Sequence, residues 1–558
     1  MISYGALTEY ALGEINSNDD LSTPDVFSEL LKNEEVVLKY IVEMQPFNED
    51  KENKLIFPIP VSTVSIGEFS YDYFGGIENL YFSDRGLVTE PDETPSNTVY
   101  EPIALNPYQY DVSILNGDDF RGGSVSFGAI RLANSDNEID YLTNYYWGGR
   151  YISVYAGGVE FSRNEFSKIF DGLSSQIEYD EEEVTINIRD KASILETEFD
   201  QNLYEGSGGL EGGQDIEGNV KPLCYGVLKN VTPTLIDATT NIYQIHDGSI
   251  ESIDSVFDRG VDLTFDADYP DISVASIPAG KYGTQLNGGY IKLGSTPAGR
   301  ITCDLHGDNV GGYISKAGAI VQRLAKTKLG FKSFNSSTLD EGAFNHIDSV
   351  LNYDCGFFIG NKTDLKNVLD SFLLPMHIYW TFNRRGQLTG GVISSPSNAV
   401  FEIDENQVNA DEIECIKVIE PAWRIKLGYG RNWTIQNSDE LAAGASASQK
   451  EFAVENYRTV INENRNIRAK TASAVERQFN SNIESESDAL SLLNKLNSLY
   501  GVKRKVYRIK VQNLMFRIFI GDFVNLNINK FDLNNKKFLI VGISEDAESN
   551  DTVLELWG

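Results

Sequence analysis

Between Asp118 and Leu195 apolar and polar residues alternate in short runs broken by glycine turns, the period-two pattern of strands with one buried face. Val125–Leu132, Tyr151–Tyr155, Phe166–Gly172 and Val184–Arg189 are rich in β-branched and aromatic residues, which suit a pleated surface. Asn134–Asp140, Gly148-Gly149-Arg150 and Gly157-Gly158 separate them, and these residue types tolerate the φ > 0 conformations of tight reversals. The pattern predicts a small closed or sandwiched antiparallel unit. Upstream, Thr23–Leu31 reads as a short helix with Thr23 as cap and Pro24 in its first turn. Val36–Met44 reads as a strand and Val61–Phe74 as a pair of strands, while residues 88–108 read as a long irregular loop.

Further along, Tyr204–Gly213 is a glycine-rich segment expected to be flexible and to mark a boundary. Short strands and turns fill 214–305. A helix is predicted over Tyr313–Ala325, with positions 317, 320, 321 and 324 on one face, and another over Asp364–Leu374, capped by Thr363 and ended by Pro375. Leu369 and Phe372 of the latter are expected to face a hairpin, His377–Phe382 and Gln387–Ile393, turning at Asn383–Gly386. In the last stretch Ala442–Ser448 reads as a loop. Asp488–Tyr500 reads as a helix with Leu490, Leu493, Leu496 and Tyr500 on one face and Gly501 after it. Strands return at 505–511, 523–527, 538–542 and 553–557. The expected fold class is mainly β (α+β), with two small antiparallel β-barrel modules flanking a β-rich insertion and a mixed α/β module. The expected division is an extension at 1–35, a first barrel at 36–200, an inserted β-rich domain at 201–310, a mixed α/β domain at 311–400 and a second barrel with one helix at 401–558. The two barrels are expected to superimpose.

Length and composition narrow this. A chain of 558 residues exceeds what one core supports, so about three to five domains are expected. The 28 Tyr and 29 Phe against 4 Met favour sheet. A net charge of −35 removes the positive footprint of a dedicated nucleic-acid binder. It suits either solubility or an acidic lumen that a polyanion slides through without sticking. Cys224, Cys303, Cys355 and Cys415 match no zinc or redox spacing and read as buried thiols in a reducing compartment. The N-terminus lacks a signal-peptide pattern, and no apolar run is long enough to predict a membrane-spanning helix.

The chain has no G-x-S-x-G, H-E-x-x-H, phosphate-loop or C-x-x-C motif, and its histidines at 246, 306, 346 and 377 are scattered. No catalytic, cofactor-binding or metal-binding residue is therefore expected, and no cofactor. His306, in Asp304-Leu-His-Gly-Asp308, could serve an acid/base or metal cluster but is read as part of a turn. The sets Asp262, Asp266, Asp268, Asp271 and Asp136, Glu138, Asp140 are either calcium loops or solvated turns; the Gly and Glu of an EF-hand are missing. Lys503, Arg504, Lys505, Arg508 and Lys510 read as the solvated face of a strand with Val506, Ile509 and Val511 inward, or as an ionic contact to an acidic neighbour. Tyr145-Tyr-Trp147 is either an exposed sugar platform or a strand edge or subunit interface.

Several phrases, in chain order, resemble the central hub or tail-tip proteins of long-tailed bacteriophages, including the two-barrel hub family. They are Tyr4–Glu14, Leu80–Gly86 with Tyr100-Glu-Pro102, the Asp136–Arg150 region, Lys221–Gly226, Ile242–Gly248, Gly288–Gly299, Gly521-Asp-Phe-Val524 and Phe538–Gly542. The resemblance implies a non-enzymatic virion protein, a homotrimer whose two barrels per chain make a pseudo-sixfold ring continuing the hexameric tail tube. Implied partners are the tail tube or distal tail protein, the tape-measure protein, and tip or fibre proteins, with DNA passing through the lumen. The implied location is the tail tip, assembled in the host cytoplasm. The chain stops at Trp557-Gly558 without an evident fibre, lysozyme-like or peptidase extension, which argues against receptor binding or wall cleavage. A carbohydrate-binding or carbohydrate-cleaving β-protein and the hub of a contractile injection machine remain the alternatives.

Overall fold

The computed structural model describes residues 26–32, 37–48, 76–120, 122, 127–135, 137–512 and 515–558. The expected strand pair at Val61–Phe74, the capping residues Thr23 and Pro24, and the phrase Tyr4–Glu14 lie outside them. The fold is mainly β, with several antiparallel sheets.

After helix α1 (Val26–Leu30) come strands β1 (Leu38–Met44), β2 (Leu80–Ser83), β3 (Ala104–Ser113), β4 (Phe127–Ala133), β5 (Tyr151–Gly158), β6 (Ser167–Tyr179) and β7 (Glu183–Arg189). They pair in the order β2-β1-β5-β6-β7-β4-β3. This arc curls back on itself: the Ser83 N–H donates to the Glu101 carbonyl at 2.7 Å and the Glu101 N–H to Tyr81 at 3.1 Å, just ahead of β3. Alternation explains the strands. On β7, Val184, Ile186 and Ile188 are buried while the residues between them are partly exposed. The expected loop at 88–108 ends early, because Tyr108 and Tyr110 turn into the core and draw the chain into β3.

The inserted region builds two five-stranded sheets, one of them completed by a strand of the middle region, Gly356–Ile359, which pairs with Leu223–Gly226. Its strands include β8 (Leu223–Val231), β9 (Ile242–Gln244), β10 (Ile250–Asp258), β11 (Lys281–Gln285), β12 (Tyr290–Leu293) and β13 (Ile301–Asp308). Tyr204, in the glycine-rich segment, is buried against Ile236 and Ile272. The middle follows with α2 (Ala317–Thr327), α3 (Glu341–Val350), β14 (Gly356–Ile359), α4 (Leu365–Phe372) and the hairpin β15 (Ile378–Phe382) and β16 (Leu388–Val392). Helix α3 is absent from the sequence reading. Its Asp348 carboxylate caps α2 from outside, accepting from Gly318 N at 2.6 Å and Ala319 N at 2.8 Å. Helix α4 is capped by Asp364, which accepts from Asn367 N at 2.8 Å, and not by Thr363. Leu369 and Phe372 are fully buried, and Trp380 of β15 donates to Asp370 at 2.8 Å.

The rest of the chain adds β17 (Phe401–Asp404), β18 (Val408–Ile419), β19 (Ala422–Tyr429), α5 (Ala447–Val454), β20 (Arg458–Glu463), α6 (Arg465–Lys470), β21 (Val475–Asn480), α7 (Glu486–Tyr500), β22 (Arg504–Gln512), β23 (Phe523–Asn527), β24 (Lys536–Asp546) and β25 (Asp551–Trp557). Helix α5 starts at Ala447, inside the expected loop, with Ser446 as its cap. Leu490 is exposed on α7; it lies about 120° around the helix from Leu496, whereas Ala489, Leu492, Leu493 and Leu499 join Leu496 and Tyr500 on the buried side. Strands β18-β22-β25-β24-β23-β17 form a second arc, and its ends, β17 and β18, are joined by residues 405–407.

The two arcs are one sheet. Strand β3 pairs antiparallel with β24, Val112 opposite Ile543 and Tyr110 opposite Glu545, giving thirteen strands in all. The second arc is covered on both faces: Tyr507, Ile509 and Val511 face its own core, while Val506, Leu539, Val541 and Trp557 belong to the core of the middle region. Val506 therefore faces opposite to Ile509 and Val511, as strand parity requires.

Candidate functional site

The region where the arcs meet is held by side chains from three parts of the chain. Glu545 of β24 is 1% exposed. Its carboxylate accepts from Arg384 Nη2 at 2.6 Å, from the Phe516 N–H at 2.9 Å and from Tyr108 Oη at 3.3 Å. Arg384 comes from the β15–β16 turn and also donates to the Ile518 carbonyl at 3.1 Å. Its guanidinium lies 5.5 Å from the Phe516 ring and 4.8 Å from the Phe519 ring. Phe516 leaves the second arc's loop and enters the first arc's core, 5.6 Å from Tyr108 and 6.3 Å from Tyr40. Its φ of 63° is a left-handed conformation that costs a non-glycine residue on the order of 1 kcal/mol, kept here by burial of the ring.

A second polar network explains why some of the phrases occur together. His246 is 1% exposed; its Nδ1 accepts from the Cys224 N–H at 2.9 Å and its Nε2 lies 3.5 Å from Asp308 Oδ1. Asp308 is paired in turn with Arg323 of α2. Gly289, at φ 66°, lies so close to the His246 carbonyl that a Cβ would collide with it, and Gly226, at φ 68°, meets the Cys355 carbonyl in the same way. The phrases Lys221–Gly226, Ile242–Gly248 and Gly288–Gly299 thus converge on one histidine. A Cys, His and Asp stand together here, but the thiol of Cys224 is directed at the Ile245 carbonyl at 3.1 Å, and burial pushes its pKa well up. The histidine accepts from the Cys224 backbone, so the arrangement is a clamp and not an activated nucleophile.

The remaining candidates resolve individually. His306 lies on strand β13 and not in a turn, with Nδ1 3.1 Å from Ser252 Oγ and 3.2 Å from Asp254. Lys229 lies 3.4 Å from Asp304, and Glu484, whose pKa burial pushes up to about 7, feels both charges. In the 262–271 set, Asp266 is taken by Tyr269 and Lys281, Asp268 by Thr284 and the Leu286 N–H, and Asp271 by Ser273. Asp136 lies outside the described residues, and among these no cluster of His, Cys, Asp and Glu is arranged to hold a metal. Trp147 is buried, its Nε1 donating to the Leu142 carbonyl at 2.9 Å, whereas Tyr146 is 55% exposed, so the triplet does not present three rings to solvent. Cys224, Cys303 and Cys355 are buried free thiols, whereas Cys415, on β18, is exposed. In the basic run, Arg508 pairs with Glu555 at 3.0 Å and Lys510 with Asp551 at 2.6 Å.

No family model and no curated protein matches the chain. Solved structures similar to it include a tail protein from Neisseria meningitidis MC58, at 9% identity over 81% of this chain and 91% of that one, TM-score 0.33. Another is the 43 kDa tail protein of prophage MuSo2 from Shewanella oneidensis, at 12% identity over 83% and 96%, TM-score 0.32. A third is a prophage tail protein from Listeria monocytogenes, at 9% identity over 83% and 90%, TM-score 0.32.

What the sequence reading missed is the joint between the arcs. Arg384 was visible only as a turn residue, and Phe516 as an apolar residue between strands. Nothing local to either signals that both end at Glu545.

Proposed function

We propose that the chain is a structural protein of a phage virion, forming the hub at the distal end of the tail. It would adapt the hexameric tail tube to a trimeric tip and line part of the DNA conduit. The observation that carries this reading is the β3–β24 ladder, by which one chain presents two curled arcs side by side in one sheet. Three such chains closed by cyclic symmetry would offer six arcs to a sixfold tube while keeping threefold symmetry below. We read the arcs as the two barrel domains, 36–200 and 401–558, with 201–310 and 311–400 inserted between them. The tail tube or distal tail protein would sit above, the tape-measure protein in the lumen, and tip or fibre proteins below.

The mechanism in this reading is geometric and needs no catalytic centre. With a net charge of −35, Coulomb repulsion would keep DNA from adhering to the wall as it passes. The test is immunogold labelling of purified particles with an antibody to this chain. Gold confined to the tail tip is expected; gold along the tube shaft, on the head, or absent from particles would overturn the reading. Incubation with peptidoglycan, polysaccharides and ester substrates should give no turnover.

A further inference from the structure

Two uncovered surfaces carry opposite charge. One is the lobe of β19, β20, β21 and α6. Arg465, Arg468 and Lys470 lie on α6, in a chain with 35 more acidic than basic charges; Glu463 at the cavity's edge holds Arg465 at 2.6 Å, and Glu476 on β21 is taken by Arg424 and Lys426. Arg468 and Lys470 form no ion pair among the described residues. The Arg468 guanidinium lies 4.8 Å from the ring of Trp423, and an open cavity of about 470 Å³ lies between Trp423, Glu463, Arg465, Arg468 and Ala469. Ile461 and Val475, on the flanking strands, are exposed at 48% and 39%.

The other surface is the tip of the β6–β7 hairpin, Glu178-Tyr-Asp-Glu-Glu-Glu183. Tyr179 is 63% exposed. Asp180 is used by the turn itself, accepting from Glu182 N at 2.8 Å and Glu183 N at 2.9 Å, and Glu183 pairs with Arg131 at 3.5 Å. That leaves Glu181 and Glu182 without an ion pair among the described residues.

We propose that the Tyr179 hairpin of one copy docks on the Trp423–Arg468 lobe of a second copy of this chain. An acidic tip with an exposed tyrosine matches a basic cavity floored by a tryptophan, and aromatic and arginine side chains are the usual anchors of an interface. The two patches differ, so the contact is heterologous, and a heterologous contact that closes makes a ring. Each copy supplies one of each, so a closed ring leaves neither patch open. The inference rests on the hub reading for the number of copies, three.

The test compares native mass and sedimentation of the full chain with three variants: Arg465→Glu/Arg468→Glu, Glu181→Lys/Glu182→Lys, and all four substitutions together. Each pair is expected to weaken association about tenfold or more, and the fourfold variant to recover most of it, since reversing both partners restores opposite charge. All four positions are on the surface, and recovery in the combined variant excludes misfolding as the cause of the loss. A trimer that persists unchanged in both single-sided variants overturns the docking and leaves the hub reading standing. A dimer or larger ring that shows the loss and rescue supports the docking and overturns the threefold reading. A chain that stays monomeric, or whose lobe instead retains double-stranded DNA, overturns the docking.

Discussion

The two arcs differ in what fills them. The second is packed by its own strands and their connecting loops with aliphatic side chains such as Ile403, Ile509, Ile540 and Leu554. The first combines aliphatic side chains such as Ile130, Val154 and Ile186 with a knot of aromatic rings, Phe27, Tyr40 and Tyr108, set against Phe516, which the second arc's loop supplies. Its polar seal is likewise borrowed, since Arg384 comes from the middle region and Glu545 from the second arc. A self-contained core tolerates loss of its neighbours; a borrowed one does not. Strand pairing at β3–β24 sets the arcs side by side, but the borrowed ring and the buried ion pair make the first depend on the second.

The hardest way to break this comparison is Arg384→Met. It leaves the Glu545 carboxylate buried without its cation, which should cost about 3–5 kcal/mol in chemical denaturation. Amide exchange should rise in β3 and β4 before it rises in β22 and β25, and equal acceleration of both arcs would refute the asymmetry. Phe516→Ala should cost about 3–4 kcal/mol by opening a cavity in the first arc. Leu554→Ala, the matching deletion in the second arc, should reverse the exchange pattern. Phe516→Ala and Arg384→Met together should cost less than their sum, because the Arg384 guanidinium lies against the Phe516 ring and either substitution removes that contact.

Asp522 gives a smaller handle on the second arc alone. Burial pushes its carboxyl up to about 6, although it accepts from the Phe519 N–H at 2.8 Å. A folded state that holds the proton more tightly than the unfolded one loses stability as pH rises from about 4 to about 6, and the loss stays constant above that. Asp522→Asn should therefore match the wild type near pH 4 and exceed it by on the order of 3 kcal/mol at pH 8, in thermal melts. A difference that is independent of pH would show that Asp522 is not the titrating group. The smallest effect should come from Arg508→Ala, which removes an exposed pair with Glu555 and should shift stability by less than about 1 kcal/mol.

The sequence was most legible where one residue in two is buried for local reasons. Val184–Arg189 carries that alternation in full, and α4 carries a complete apolar stripe. Helix α3 offers only Phe344 and Ile347 to the core among polar neighbours, too thin a stripe to read. His306 sits among Asp and Gly, which favour turns, yet its segment pairs with β8 and β10, and that pairing overrides local preference. Val506 and Leu490 were misassigned because each neighbours residues on the opposite side of its element. The joint at Glu545 was illegible for a different reason, since its three donors lie far apart in the chain and are brought together only by tertiary contact.

The most direct test of the central claim is an electron-microscopy reconstruction of the assembled chain. The account predicts a threefold ring in which three β3–β24 ladders place six strand arcs around an open lumen. A ring of any other symmetry, or three chains whose arcs lie apart and surround no common lumen, would contradict it.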